Sequence, residues 1–367
     1  MKILIIKSSL SLGGVDNLVM NQISYLHEHG HEIWVQYCEG VEEKKLEFYE
    51  KNECHLIKMP RFKDGFFRFI KKQTEVLKEG NFDIIHSHIC HFSYMVLIAA
   101  KRAGIKTKVI CHSHYDDYYK GWPYLRIFMP IIQRKFKTSR AILVASSKKS
   151  GEALFGKNPF RMIYNGIDTN KFAYSKEIRE LKRKELNISE NQIAICNVAM
   201  FREQKNHDFL INIFMEFLKK KSNSVLVLVG NGPLEDTIKE KCEKLNILSK
   251  VKFLGIRQDV NELLSAMDLC FFPTKFEGFS MGLIEYQCNG LPVVCSDAAP
   301  KEIKQVDNFV FASLKNSAYD WAKIGNELME NTIRKDNSKL IYEKKLDKHC
   351  FGEEIEKLYL EVIENEQ

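Results

Sequence analysis

FFPTKFEGFSMGLIEYQCNGLPVVCSDAAP, residues 271–300, sets two apolar runs around a glycine-bearing loop. Residues 269–273 read as a buried strand, 276–282 as a loop entering a helix near 283–286, and 292–295 as a second strand. Strand, loop, helix, strand is a βαβ unit, and its helix start exposes backbone N–H groups that suit an anion. Glu277 stands at the mouth of the loop and Glu285 one to two turns into the helix. Both can therefore face a ligand whose phosphates lie between them. Paired acids are common on solvated helices, but a place directly after a buried strand is where α/β sheets put ligands.

Outward from this unit the same alternation continues. The second half carries apolar runs at 194–198, 225–229, 252–254, 269–272, 293–295 and 309–311, with amphipathic stretches such as 207–220 and 234–245 between them. The first half carries runs at 3–6, 32–36, 55–57, 84–86, 108–111 and 141–145, with helical stretches at 15–29, 65–79, 92–103 and 124–137. Repeated βα alternation predicts an α/β protein built on doubly wound parallel sheets. The expected division is 1–170 and 171–350, with a linker in the charged run 176–184. A helical apolar stripe within 351–365 is expected to pack back onto the first domain.

A chain of 367 residues suits two domains, and 45% hydrophobic with 28% charged residues describes a globular protein with large cores. Ten cysteines without C-x-x-C spacing sit mostly in apolar segments, which fits buried reduced thiols better than disulfides or a metal site. The opening MKILIIKSSLSLGG is too short in its apolar part for a signal peptide or a membrane span, and no run reaches membrane-spanning length. The expectation is a cytoplasmic protein that meets the inner face of the membrane only through surface contact. Net charge is +7, and residues 1–170 hold 26 Lys and Arg against 17 Asp and Glu. That basic half makes anionic lipid a candidate partner; nucleic acid is not expected, because no recognition module is visible.

Further motifs sit at predicted strand ends. Ser11-Leu12-Gly13-Gly14 opens the first helix with paired glycines, either a plain tight turn or a close backbone approach to a ligand. It lacks the G-x-G-x-x-G dinucleotide pattern. His86, His88, His112 and His114 end two neighbouring strands. Half-buried polar residues, zinc ligands or hydrogen-bond donors to an oxygen-rich substrate are the readings, and the last is favoured since no Cys, Asp or Glu stands at ligand spacing. Arg202 and Lys205, after another strand, form a possible cationic clamp on phosphate, with solvated surface charge as the plain alternative. Gly230-Asn231-Gly232 reads as structural. Phe62, Phe66, Phe69 and Ile70 make one apolar stripe amid basic residues, and 118–126 with 133–137 is similarly aromatic and basic. Both are helices packed on their own core or a membrane-surface patch.

Taken together these residues resemble the retaining glycosyltransferases of family 4, with the GT-B fold of two Rossmann-like domains facing a central cleft. Glu277-Gly278-Phe279-Ser280-Met281-Gly282-Leu283-Ile284-Glu285 is similar to the E-x7-E element of that family. Gln204-Lys205-Asn206-His207, Asn165-Gly166-Ile167-Asp168 and 290–297 match it too. The resemblance implies that the second domain binds the nucleotide-sugar donor and the first the acceptor. By it, Glu285 binds the ribose, Glu277 the transferred sugar, and Lys205 with the backbone N–H groups of Gly278, Phe279, Ser280, Met281, Gly282 and Leu283 the diphosphate. Gly13, Gly14 and Asn165 fall with the donor site, and His112 matches the catalytic histidine, with His114 as alternative. Met200 occupies a place where the family often has arginine, which Arg202 could replace; Asp16 stands where glutamate is commoner.

The function so implied is transfer of a sugar, with retention, from a nucleoside diphosphate sugar to a glycan or lipid-linked acceptor in cell-surface polysaccharide assembly. No cofactor and no metal are expected, since the chain lacks Asp-x-Asp. The alternatives are a non-catalytic nucleotide-sugar-binding scaffold and a GT-B nucleotide-sugar epimerase or hydrolase.

Overall fold

The computed structural model describes residues 1–10, 14–41, 43–61, 64–114 and 125–365. Gly13, Phe62 and the aromatic run 118–122 lie outside the described residues, as does the side chain of Arg126. The chain forms two compact units, Met1–Gly166 with Lys348–Gln367, and Ile167–Asp347. The change of unit therefore falls slightly ahead of the expected break at 170.

In the first unit β1 (Lys2–Ile6), β2 (Ser9–Leu10), α1 (Gly14–Glu28), β3 (Glu32–Tyr37), β4 (Glu39–Val41), α2 (Glu43–Lys51) and β5 (His55–Lys58) come first. They are followed by α3 (Phe66–Gly80), β6 (Ile84–Ser87), α4 (Ser93–Arg102), β7 (Val109–Ser113), α5 (Leu125–Thr138), β8 (Ile142–Ala145), α6 (Lys148–Phe155) and β9 (Arg161–Met162). Seven strands form one parallel sheet in the order β5-β3-β1-β6-β7-β8-β9. A parallel sheet must be covered on both faces, which is why Ile3, Leu4, Ile5 and Ile6 are all buried. Leu4, Ile6, Ile85 and Cys111 share a core with Phe69, Val96, Phe136 and Phe155 of the helices α3 to α6. Helix α6 begins with a capping box between Ser147 and Ser150, a polar signal that the reading of apolar periods passed over.

The second unit holds α7 (Lys176–Glu185), β10 (Ile193–Val198), α8 (His207–Lys220), β11 (Ser224–Val229), α9 (Glu235–Lys244), β12 (Val251–Phe253) and α10 (Val260–Ala266). β13 (Leu269–Phe272), α11 (Met281–Cys288), β14 (Val293–Ser296), β15 (Phe309–Ala312), α12 (Ala318–Glu330) and α13 (Ser338–Glu343) complete it. Its six strands are parallel in the order β12-β11-β10-β13-β14-β15. Counted within the unit this is 3-2-1-4-5-6, the Rossmann order, which places the reversal of winding between β10 and β13. The expectation of two Rossmann-like parallel-sheet units is met.

One expectation is corrected and another resolved. The charged run 176–184 is no linker: α7 docks on the unit through Arg179 and Arg183, whose guanidinium groups lie 2.6 and 3.1 Å from the Asp268 carboxylate. The apolar stripe on α3 is also split, because Phe69 and Ile70 are wholly buried while Phe66 and Phe67 are exposed. Phe136 of α5 likewise goes into the core, while Ile127, Phe128 and Ile131 of the same helix are exposed.

The final helix, α14 (Lys348–Glu364), belongs to the first unit and lies along α1. Gly352 makes the approach possible: a Cβ there would stand 2.2 Å from the Tyr25 ring. Among the described residues no helix is long and apolar enough to cross a membrane.

Candidate functional site

The loops after β10 and β13 leave neighbouring strands at the point where the winding reverses, the position at which an open α/β sheet leaves room for a ligand. They are tied to each other. The Gln204 amide donates to the Phe276 carbonyl at 2.9 Å, and the Asn206 amide to the Pro273 carbonyl at 3.1 Å. The Lys275 N–H donates to the Gln204 carbonyl at 2.8 Å, and the buried Thr274 hydroxyl lies 2.8 Å from the Phe276 carbonyl and 3.1 Å from that of Gln204. Asn206 takes the left-handed conformation with φ 55°, tolerable for asparagine, and ends a short helical turn, 203–205, as α8 begins.

This stitching sets Lys205 against Glu277, with Nζ 2.5 Å from Oε2. Glu277 is only 8% exposed, and the lysine ammonium also stands 5.0 Å above the Phe272 ring. The loop is propped from below by Gly230 and Gly232, with φ of 134° and 153°. A Cβ on Gly230 would lie 2.3 Å from the Ala199 carbonyl oxygen, so the structural reading of this pair holds.

Helix α11 starts at Met281 without a side-chain cap, Ser280 making no capping hydrogen bond. Its first-turn N–H groups have no acceptor within the helix, which leaves them for an anion. Leu283 and Phe279 are buried, so only their backbones could serve a ligand. Tyr286 accepts the Val198 N–H at 2.8 Å and so fixes α11 against the end of β10. Glu285, on the same helix, keeps partial exposure, and burial pushes its carboxyl up to about 7 against a smaller opposing pull from Lys171.

Arg202 is exposed, and its guanidinium has no partner among the described residues. Met200 is half-exposed and brings no charge. The structure thus brings Lys205, Glu277 and the start of α11 together and leaves Arg202 free at the rim of the same loop. Gly14 opens α1, while Gly13 is outside the described residues. Asn165 is buried near the end of the first unit, and its side-chain oxygen has no hydrogen-bond partner among the described residues. Asp16 pairs with the buried Lys7.

The four histidines at the ends of β6 and β7 do cluster. His88 Nδ1 lies 3.0 Å from His114 Nε2, and the His86 and His112 rings stack at 5.4 Å. Burial lowers all of them, His86 and His114 to about 3, so the imidazoles are neutral. The sequence held no sign of Tyr359, whose hydroxyl reaches His86 Nδ1 at 2.7 Å from α14. Nor did it reveal Gln204, Asn206 and Thr274 as the ties that aim Lys205; their polar side chains next to strand ends were the available hint.

Comparison with known proteins adds the family. Residues 12–171 match the model described as Glycosyltransferase Family 4, and residues 178–347 that described as Glycosyl transferases group 1. EpsF of Bacillus subtilis (strain 168), named as a glycosyltransferase with no stated substrate, is 30% identical over 64% of this chain. The shared stretch is 63% of that protein's length. The UDP-Gal:alpha-D-GlcNAc-diphosphoundecaprenol alpha-1,3-galactosyltransferase of Escherichia coli is 24% identical over 79% of this chain and 78% of its own. Anabaena HepE, solved in complex with UDP, superposes with a TM-score of 0.82 at 20% identity, covering 98% of this chain and 99% of that one. WaaG, a glycosyltransferase involved in lipopolysaccharide biosynthesis, gives 0.68 at 18% identity, covering 96% and 93%. With a family model on each half and one fold from end to end, the chain belongs to the family 4 glycosyltransferases of the GT-B class.

Proposed function

We propose that the chain transfers a hexose, with retention at the anomeric carbon, from a nucleoside diphosphate sugar to a glycan or lipid-linked acceptor in cell-surface polysaccharide assembly. The Lys205–Glu277 pair beside the uncapped start of α11 carries this reading. A departing diphosphate gathers negative charge on its oxygens, and a fixed ammonium, helix N–H groups and the exposed guanidinium of Arg202 stabilise that charge without a metal. Glu277 receives a hydroxyl of the transferred sugar and Glu285 the ribose hydroxyls. His112 of the first unit, neutral and buried, is assigned to the sugar on the family resemblance. Gly14 and Asn165 are assigned to donor contacts on the family resemblance.

The Escherichia coli galactosyltransferase, which uses UDP-Gal and a diphosphoundecaprenol acceptor, and HepE with its bound UDP support a UDP-linked donor and a polyprenyl diphosphate type of acceptor. Exposed Phe66, Phe67, Ile127, Phe128 and Ile131, with Lys71, Lys72, Arg134, Lys135 and Lys137, give the first unit a basic and apolar surface suited to an anionic membrane. Localisation at the inner face of the membrane follows from that contact, with no cofactor called for.

The test is a transfer assay with a UDP-sugar panel and lipid-linked acceptors. Glu277→Ala and Lys205→Ala proteins that transfer at the wild-type rate would end the assignment. Met200, where a cation is common, favours a second reading of donor binding without turnover; tight binding with no nucleoside diphosphate released under any acceptor would decide for it.

A further inference from the structure

The histidine cluster of the first unit is buried and incompletely hydrogen-bonded. His86, His88, His112 and His114 are each at most 7% exposed. Ring nitrogens of His86, His88 and His112 all lie within 4.8 Å of one another. Among the described residues His86 Nε2, His88 Nε2 and both nitrogens of His112 have no hydrogen-bond partner. Native structures rarely leave buried polar atoms unpaired, and three such rings with nitrogens this close together can share one occupant.

The opposite nitrogens are held in place. Gln22 Nε2 and the Tyr359 hydroxyl lie 3.1 and 2.7 Å from His86 Nδ1, and Gln22 in turn donates to Tyr359 at 2.6 Å. His88 Nδ1 rests against His114 at 3.0 Å. With His86 Nδ1–H donating to the Tyr359 hydroxyl, Nε2 keeps the lone pair that a metal ligand needs, the way ligand histidines are oriented. The nearby Lys7 ammonium is matched by Asp16 and lies 3.1 Å from the Tyr49 hydroxyl, so the pocket carries little net positive charge against a cation.

We propose that His86, His88 and His112 hold one divalent transition-metal ion of the zinc class, with the fourth coordination position open. Imidazole nitrogen suits zinc, copper and nickel, whereas magnesium and calcium select oxygen. Two nitrogens bound to one zinc stand at most about 4.2 Å apart, so the rings draw in slightly on binding. His112 has a second unpartnered nitrogen, and ligation through one leaves the other N–H to donate.

The experiment uses the full chain, freed of metal with a chelator and titrated with zinc by calorimetry in the absence of nucleotide. A cobalt(II) titration is read by its visible absorption. The expected result is one ion per chain, no uptake of magnesium, and a cobalt spectrum of four-coordinate form. Tyr359→Phe, which keeps the ring packed, weakens zinc about 10- to 100-fold by freeing His86. His112→Ala abolishes the site. Failure of the wild type to take up zinc overturns the proposal, as does uptake with the same affinity and cobalt spectrum in Tyr359→Phe and His112→Ala. Neither outcome depends on whether the protein transfers sugar.

Discussion

Lys205 Nζ lies 2.5 Å from Glu277 Oε2, joining the loop that follows β10 to the loop that follows β13. Glu277 is nearly buried, so this pair is not the weak surface kind, and removing one partner strands the other. A donor that brings its own diphosphate and hydroxyls can take up both groups, which are already aimed.

Lys205→Met is therefore expected to lower the transfer rate about 100- to 1000-fold, the loss associated with one fixed donor to a developing anion. Glu277→Gln keeps shape but removes the counter-charge. Steady-state kinetics with saturating UDP-sugar checks both, and Arg202→Ala is expected to cost less than Lys205→Met because its guanidinium is exposed and unanchored.

The pH dependence centres on Glu285, whose carboxyl rises from 4.5 to about 7 on burial. An acid raised in the folded state binds its proton more tightly there than in the unfolded chain. Its contribution is neutral below about 4.5, becomes increasingly destabilising as pH rises toward 7, and stays so above. Glu285→Gln should thus melt higher than wild type at pH 8, with the difference fading by pH 4.5. Because ribose hydroxyls donate to the ionised form, UDP should bind wild type more weakly at pH 6 than at pH 8, and the variant should lose that slope.

Gly230→Ala forces a side chain into φ 134° and against the Ala199 carbonyl, 2.3 Å from the new Cβ. The expected cost is about 1–3 kcal/mol of stability. Displacement of the 199–206 loop should weaken UDP binding as well, measurable by chemical denaturation and calorimetry on the same sample.

Gly352→Ala should loosen α14 from Tyr25 at a cost of about 1–3 kcal/mol, since overpacking a fitted contact strains both sides. Hydrogen exchange confined to α14 and α1 would report it, with the second unit unchanged.

Phe67→Ser with Ile131→Ser should reduce sedimentation with anionic liposomes at low salt and leave the melting temperature near wild type, because both side chains are exposed. Equal sedimentation with anionic and neutral vesicles would remove the membrane partner.

Much of the architecture was legible because parallel strands, covered on both faces, read as unbroken apolar runs: 269–272 and 207–220 coincide with β13 and α8. Elements with polar starts or few apolar residues, such as α2 and α6, gave no such signal. The charged run 176–184 misled because Arg179 and Arg183 face Asp268 and backbone carbonyls, a tertiary pairing that local composition does not record. The apolar stripe of α3 left two readings open, because a helical face has no label saying whether it meets a core or a solvent. Within the candidate site Lys205 and Glu277 stood out by their motifs. Tyr359 could not, being 273 residues from the histidine it touches.

The most direct measurement is a crystal structure of the full chain with UDP. The account predicts the β-phosphate within hydrogen-bond reach of Lys205 Nζ and of the first-turn N–H groups of α11, with the ribose hydroxyls on Glu285. UDP bound at any site that leaves the Lys205–Glu277 pair and the start of α11 without contact would contradict it.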